Sequence, residues 1–383
     1  MEKKNNISDL QKLARWNRYK NPVTVNSIRY NQDLSLLILG TSNGYKIFST
    51  ETFKPLGEES EANSKLGDIH VADSYYSSYL VFLLPSMFNK EYKNNEIIIF
   101  DDYFQKKIGS IKFKNEEIKN FFISKDFISI ITIRSILVFE LYSLKAVELI
   151  ENIAYNDKII SCNPLNYLAY SKNDDRKTIY IEYFKSEKNK ITSRKRQKID
   201  SNFDFIQIIQ FSPSGDQIVV VSIFGNKVHI YDTNTGKLKN CFFLGPKIQT
   251  IDKIFFSEKK PNYLLFIRND KIFNIYKIGK AKEKDQIHKC ICNIDNDQDL
   301  LIRLSEMDKK NAGLAKPRTN SRNKNLTEPH AYSDIESRLL FGDFDRNNHK
   351  DLTFINKEGQ LIKYHFNKKR NGKIAPILSI QWI

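Results

Sequence analysis

Residues 205–238 read FIQIIQFSPSGDQIVVVSIFGNKVHIYDTNTGKL. Three apolar runs are separated by Ser214-Gly215-Asp216 and Gly225-Asn226, and Thr235-Gly236 follows the third. Each separator carries turn chemistry: Gly accepts positive φ, while Ser, Asn and Asp bond their own backbone. The spacing predicts consecutive short antiparallel strands. A single hairpin of this kind is not stable alone in water, which makes repetition of the unit the next thing to look for.

The unit recurs. Residues 25–48, VNSIRYNQDLSLLILGTSNGYKIF, form one copy; a weaker copy contains 96–113 and ends there, and others span 117–150, 158–184, 250–278 and 338–366. With 205–238 they make seven, spaced about 40–55 residues apart before a long insertion. Four-stranded units at this period are blades of a β-propeller, whose ring leaves only short, protected sheet edges. The fold expected is therefore all-β, a seven-bladed, WD-repeat-like propeller with long basic inter-strand loops. Tyr231-Asp232 stands where WD repeats carry Trp-Asp. Two unrelated β-sandwiches would not account for so even a period.

One domain, 21–383, is expected, with three segments outside the repeat. Residues 1–20 contain Ser8-x-x-Gln11, a capping-box pattern, with Ile7, Leu10 and Leu13 at three-residue spacing; they read as a tail or short helix. Residues 185–200, KSEKNKITSRKRQKID, read as a basic loop or hairpin. Residues 279–337 read as a flexible loop insertion between the sixth and seventh units.

Composition narrows the classes of function. Hydrophobic residues make up 40% of the chain, with 45 Phe and Tyr, which excludes a wholly disordered protein. Sixty-one Lys and Arg against 45 Asp and Glu leave a net charge of +16, so an anionic partner is favoured: nucleic acid, phospholipid headgroup or acidic protein. Four cysteines are too few for a disulfide framework in 383 residues, and MEKKNNISDLQKLARW has no apolar signal core. The longest apolar run, 127–139, is interrupted by Arg134 and too short to span a bilayer. A cytoplasmic protein is expected, peripheral on membranes at most.

Specific residues add a family likeness. Asn31-Gln32-Asp33 followed by Gly40-Thr41, Gly44 and Ile47-Phe48 resembles the first blade of the PROPPIN family, and IIIFDDYFQKKIGSIKF resembles its second. The resemblance covers most of residues 23–278. It implies a propeller that binds phosphatidylinositol 3-phosphate on autophagic and endolysosomal membranes and recruits autophagy proteins there. The family signature is Phe-Arg-Arg-Gly at the end of the fifth blade, where two guanidinium forks suit phosphate oxygens. Here that position reads Phe242-Phe243-Leu244-Gly245. The flanking residues match and both arginines are replaced by apolar side chains. Ser222 is the one hydroxyl left in the turn SIFGN, and Lys247 the one nearby cation. Phe243 and Leu244 are expected to pack between blades, leaving a degenerate lipid site.

Asp343, Asp345, Asn347 and Asp351 follow the 1, 3, 5, 9 oxygen pattern of calcium loops, against a polar turn between two strands. His288-x-Cys290-x-Cys292 lacks a fourth zinc ligand and reads as part of a strand. No hydrolase elbow, zinc-protease motif or P-loop is present, so no enzyme is expected. His229 lies in a predicted strand and reads as structural. The function expected is a propeller scaffold recruiting autophagy or endolysosomal proteins at membranes. The alternative is a WD-like scaffold of a nuclear or ribonucleoprotein complex with no lipid role.

Overall fold

The computed structural model describes residues 23–57, 61–244, 250–256, 263–268, 273–277, 290–294, 339–344, 351–356, 360–366 and 374–381. Apart from one helical turn at Glu61–Ser64, all regular structure among them is β. The strands form seven antiparallel sheets, the first of three strands and the others of four, each built from strands consecutive in sequence. The first is β1 (Val25–Tyr30), β2 (Leu36–Thr41) and β3 (Gly44–Ser49). The second is β4 (Ile69–Ser74), β5 (Leu80–Pro85), β6 (Glu96–Asp101) and β7 (Lys106–Lys112). The third is β8 (Asn120–Ile123), β9 (Phe127–Ile131), β10 (Ser135–Glu140) and β11 (Ala146–Glu151).

The fourth sheet is β12 (Ile160–Asn163), β13 (Tyr167–Tyr170), β14 (Thr178–Glu187) and β15 (Lys190–Asp200). The fifth is β16 (Ile206–Phe211), β17 (Gln217–Ser222), β18 (Lys227–Asp232) and β19 (Leu238–Phe243). The sixth is β20 (Ile251–Phe256), β21 (Tyr263–Arg268), β22 (Phe273–Lys277) and β23 (Cys290–Ile294). The last is β24 (Leu339–Phe344), β25 (Asp351–Asn356), β26 (Gln360–Phe366) and β27 (Ile374–Gln381).

The sheets stand in a ring, and the fold is a β-propeller. First strands of successive sheets adjoin, and β24 returns to β1; the third and fourth sheets meet through a shared apolar cluster. Each described interface has such a cluster. Ile38 and Tyr45 meet Val81 and Phe100 between the first two sheets. Ile128 and Ile130 meet Phe82 and Ile97 between the next two, and Ile230 meets Leu264 and Phe266 between the fifth and sixth. Second strands are covered on both faces, which is why LVFLLP, FISII and QIVVVS are apolar runs rather than alternating strands. The first sheet has residues 54–56 where others have a fourth strand: Ser49 N donates to Lys54 O at 3.0 Å and Leu56 N to Ile47 O at 2.8 Å.

One expectation is settled and one corrected. Of the two readings of residues 185–200, loop or hairpin, the structure has the hairpin: they are most of β14–β15, turned by Lys188 and Asn189, both at positive φ. That is the two-residue turn whose twist matches its strands. The stretch 279–337, read as loop, contains β23, the outer strand of the sixth sheet. Residues 1–20 lie outside the described residues.

Inner strands also carry charge. Arg29 of β1 donates to Phe121 O and Asn120 Oδ1, lies over the Phe122 ring at 4.8 Å, and sits 3.7 Å from Asp73 of β4. Burial pushes the Asp73 carboxyl up to about 7, against the pull of Arg29 and the Ser74 N–H. A carboxyl raised by folding holds its proton in the folded state, so its stabilising contribution is full at acid pH and is lost as pH rises from about 4 through 7. Replacing Asp73 by Asn removes this dependence. Urea denaturation is expected to show the variant gaining on the wild type by on the order of 4 kcal/mol between pH 4 and 8; a difference that does not change with pH would contradict the assignment.

Candidate functional site

The end of the fifth sheet gathers the residues singled out by sequence. β17 ends at Ser222, the chain turns through 223–226, and β18 runs back beside β19, which ends at Phe243. Gly225 has φ +64° and donates its N–H to Ser222 O at 2.8 Å, closing the turn. The buried Ser222 hydroxyl donates to Asn226 Oδ1 at 3.1 Å and accepts from Lys227 N at 3.2 Å. It serves the turn and does not face outward as a phosphate donor.

Phe243 and Leu244 behave differently, because successive side chains of a strand point to opposite faces. Leu244 packs against the cluster between the fifth and sixth sheets, and its N–H donates to Asn226 O at 2.7 Å. Phe243 pairs with Lys227 across β18–β19 and is 52% exposed. The expectation that both fill an inter-sheet gap holds for Leu244 and fails for Phe243. Phe242 pairs through its backbone with Val228. Gly245 and Lys247 lie outside the described residues.

Sequence reasoning passed over three neighbours. Ile223 and Phe224 in the turn are exposed, as is Phe205, whose carbonyl accepts from Ile223 N at 2.9 Å. With Phe243 they make an apolar surface at the position where the family resemblance calls for phosphate ligands. Consecutive Ile and Phe inside a turn were the available signal. His229 is structural as read: Nδ1 lies 2.9 Å from Ser201 O and 3.0 Å from the Tyr231 hydroxyl, and its ring centroid is 4.3 Å from that of Phe203. Burial lowers its pKa, so it is neutral at physiological pH.

At the opposite end of the sheets, the turns after β4, β6 and β10 carry a second exposed group. Ring centroids of Tyr79 and Tyr103 lie 5.2 Å apart, and Tyr103 is 5.0 Å from Phe104. Tyr75 and Tyr142 join through their hydroxyls at 2.6 Å. Tyr79, Tyr103, Phe104 and Tyr142 are all exposed, and Lys106 Nζ stands 5.1 Å over the Phe104 ring. Aromatic clusters of this kind favour protein contact, since they bury large area at small entropic cost.

For metal chemistry, Asp343 lies in β24 and Asp351 opens β25, so the loop between them joins two paired strands; Asp345 and Asn347 lie outside the described residues. Cys290 and Cys292 are in β23, as the strand reading of that motif expected. Among the described residues no group of three or more His, Cys, Asp or Glu is placed to hold a metal ion. Nor is any described helix long and apolar enough to cross a membrane.

No family model matches the chain. SVP1-like protein 2 of Saccharomyces cerevisiae is 23% identical over 284 residues, 66% of this chain and 62% of that protein, so the matched part spans less than two thirds of the relative. The solved structure of Kluyveromyces lactis Hsv2 superimposes with a TM-score of 0.67 at 13% identity, covering 94% of this chain and 100% of that one. KlAtg21, solved in complex with the coiled coil of AgAtg16, gives 0.58 at 14% identity over 94% and 100%. These neighbours are PROPPIN propellers, and the resemblance carried by the first two sheets extends over the fold as a whole.

Replacing Ser222 by Ala removes the two hydrogen bonds that a buried hydroxyl makes within its turn. The expected cost is about 1–2 kcal/mol in urea denaturation, with binding to anionic vesicles unchanged.

Proposed function

We propose that this chain is a divergent PROPPIN: a seven-bladed, non-enzymatic scaffold that recruits autophagy or endolysosomal proteins at membranes and has a degenerate phosphatidylinositol 3-phosphate site. The seven described sheets support the blade count. The observation that carries the reading is the end of the fifth sheet, where a propeller of this shape presents Phe205, Ile223, Phe224 and Phe243 to solvent and ties the Ser222 hydroxyl into its own turn. Each charge-assisted phosphate contact is worth about 1.5–3 kcal/mol. Two missing guanidiniums therefore weaken headgroup binding by about two orders of magnitude or more. Membrane contact then falls to the excess of Lys and Arg, which adhere to an anionic leaflet without selecting a headgroup.

Recruitment falls to the opposite end of the ring, where Tyr79, Tyr103, Phe104 and Tyr142 offer a surface suited to protein. The complex of KlAtg21 with a coiled coil of AgAtg16 supports autophagy proteins as the class of partner. The protein is cytoplasmic in this reading and peripheral on vacuolar, endolysosomal or autophagic membranes.

Liposome flotation tests it at physiological salt. Vesicles containing phosphatidylinositol 3-phosphate and vesicles of equal charge made with phosphatidylserine are expected to float the protein equally. Selective flotation with the phosphoinositide would overturn the degenerate-site reading. Binding to nucleic acid with no vesicle binding at all would favour the nuclear scaffold instead.

A further inference from the structure

β14 and β15 outrun the sheet that carries them. β13 backs β14 only from Tyr180 to Tyr183, whereas β14 and β15 stay paired out to Glu187 and Lys190. Beyond Tyr183 they continue as a two-stranded ribbon, and the ribbon is fastened down. Ser186 Oγ donates to the buried Asp126 carboxylate at 2.5 Å, and Ile191 N donates to Glu140 Oε1 at 2.9 Å. Ile191 packs onto the cluster between the third and fourth sheets, and Arg194 pairs with Glu148 of β11. One face of the ribbon is thus turned onto the third sheet. What stays open to strand pairing is the outer edge of β15, 11 residues long, whose one strand neighbour among the described residues is β14. It is the longest strand of the described molecule.

The charge on this edge is one-sided. Residues 185–198 hold seven Lys and Arg against one acid, Glu187. Part of that charge is neutralised internally. Glu182, fully buried, takes Arg196 Nε at 2.5 Å, Arg194 Nε at 3.3 Å and the Tyr170 hydroxyl at 2.9 Å, and Lys185 pairs with Glu187 at 2.9 Å. Lys188, Lys190, Lys195 and Lys198 are exposed and have no carboxylate within ion-pair distance among the described residues.

Lysines on an edge strand deter pairing with a like-charged strand, so a second copy of β15 is a poor occupant. Lysines spread over both faces beside this edge attract an acidic one. A nucleic acid groove takes a ribbon with both faces free, whereas this one presents a line of roughly 36 Å at 3.3 Å per residue. An extended chain fits a line, with backbone groups pairing along it and alternate side chains meeting the lysines. We infer that the free edge of β15 takes an acidic, extended segment of a partner protein as a fifth strand of the fourth sheet. Neither the headgroup position nor the membrane enters into this assignment.

The probe is a fluorescein-labelled peptide of six Thr-Glu repeats, followed by anisotropy with the full chain at physiological salt. Saturable binding is expected. It should weaken at least tenfold with Lys190→Glu/Lys195→Glu and to a similar degree when alternate peptide nitrogens are methylated, which blocks strand pairing without changing charge. Lys93→Glu, at an exposed residue of the connection between β5 and β6, should leave it unchanged, and an unaltered melting temperature of the double variant excludes a folding defect. Binding insensitive to N-methylation would reduce the contact to charge alone and overturn the strand assignment. So would absence of peptide binding by the wild type. Tighter binding of a twelve-nucleotide oligo-dT, lost in the same double variant, would overturn it in favour of nucleic acid.

Discussion

Each sheet of this molecule is covered only by its neighbours. A four-stranded sheet of short strands has two faces to bury and no helix layer to bury them under, so stability rests on contacts between adjacent sheets. Clusters such as Ile128–Phe82 and Ile230–Phe266 supply the apolar part. Polar clasps near the axis supply the rest. Asn26 Nδ2 donates to Ile69 O at 2.8 Å, Gln32 Nε2 to Ser74 O at 3.0 Å, and Ile251 N to Gln207 Oε1 at 3.3 Å. Asn26 and Gln207 both sit at a register shift near the start of a first strand, where the extra residue frees a side chain to reach the next sheet.

Because the inner contacts bear the fold, the strand ends and outer edges are free to differ. At one end of the fifth sheet an apolar surface replaces the expected anion ligands, and the change is compatible with folding because only Leu244 of the altered pair packs inward. At the other end, turns of the second and third sheets expose tyrosines. The outer edge of the fourth sheet carries exposed lysines. One ring thus displays three chemically distinct surfaces without any change to its core.

The repeat was legible because turn residues and doubly covered second strands leave a strong local signal; QIVVVS between Ser214-Gly215-Asp216 and Gly225-Asn226 is the clearest instance. Outer strands leave a weaker one. β15 reads KITSRKRQKID, which resembles a solvated loop, since only one side of an edge strand needs apolar residues and here Glu182 and Tyr180 bring cations onto the sheet. β23 is short and lies among polar residues, so the stretch around it reads as insertion. At the site, sequence located the changed positions but not their directions. Whether Phe243 or Leu244 faces solvent depends on the register of β19 against β18, which residue types alone do not set. The Tyr79–Tyr103–Phe104 group was missed because its members belong to separate turns brought together only by the sheet.

The central claim is that the fifth-sheet end has lost recognition of the headgroup itself, apart from any attraction of the whole protein to anionic surfaces. Isothermal titration with soluble inositol 1,3-bisphosphate separates the two, since no membrane is present. No saturable heat is predicted at ligand concentrations up to about 1 mM, which corresponds to less than about 4 kcal/mol of binding. A one-to-one isotherm in the micromolar range, abolished by substitutions at Ser222 or Lys227, would contradict the account.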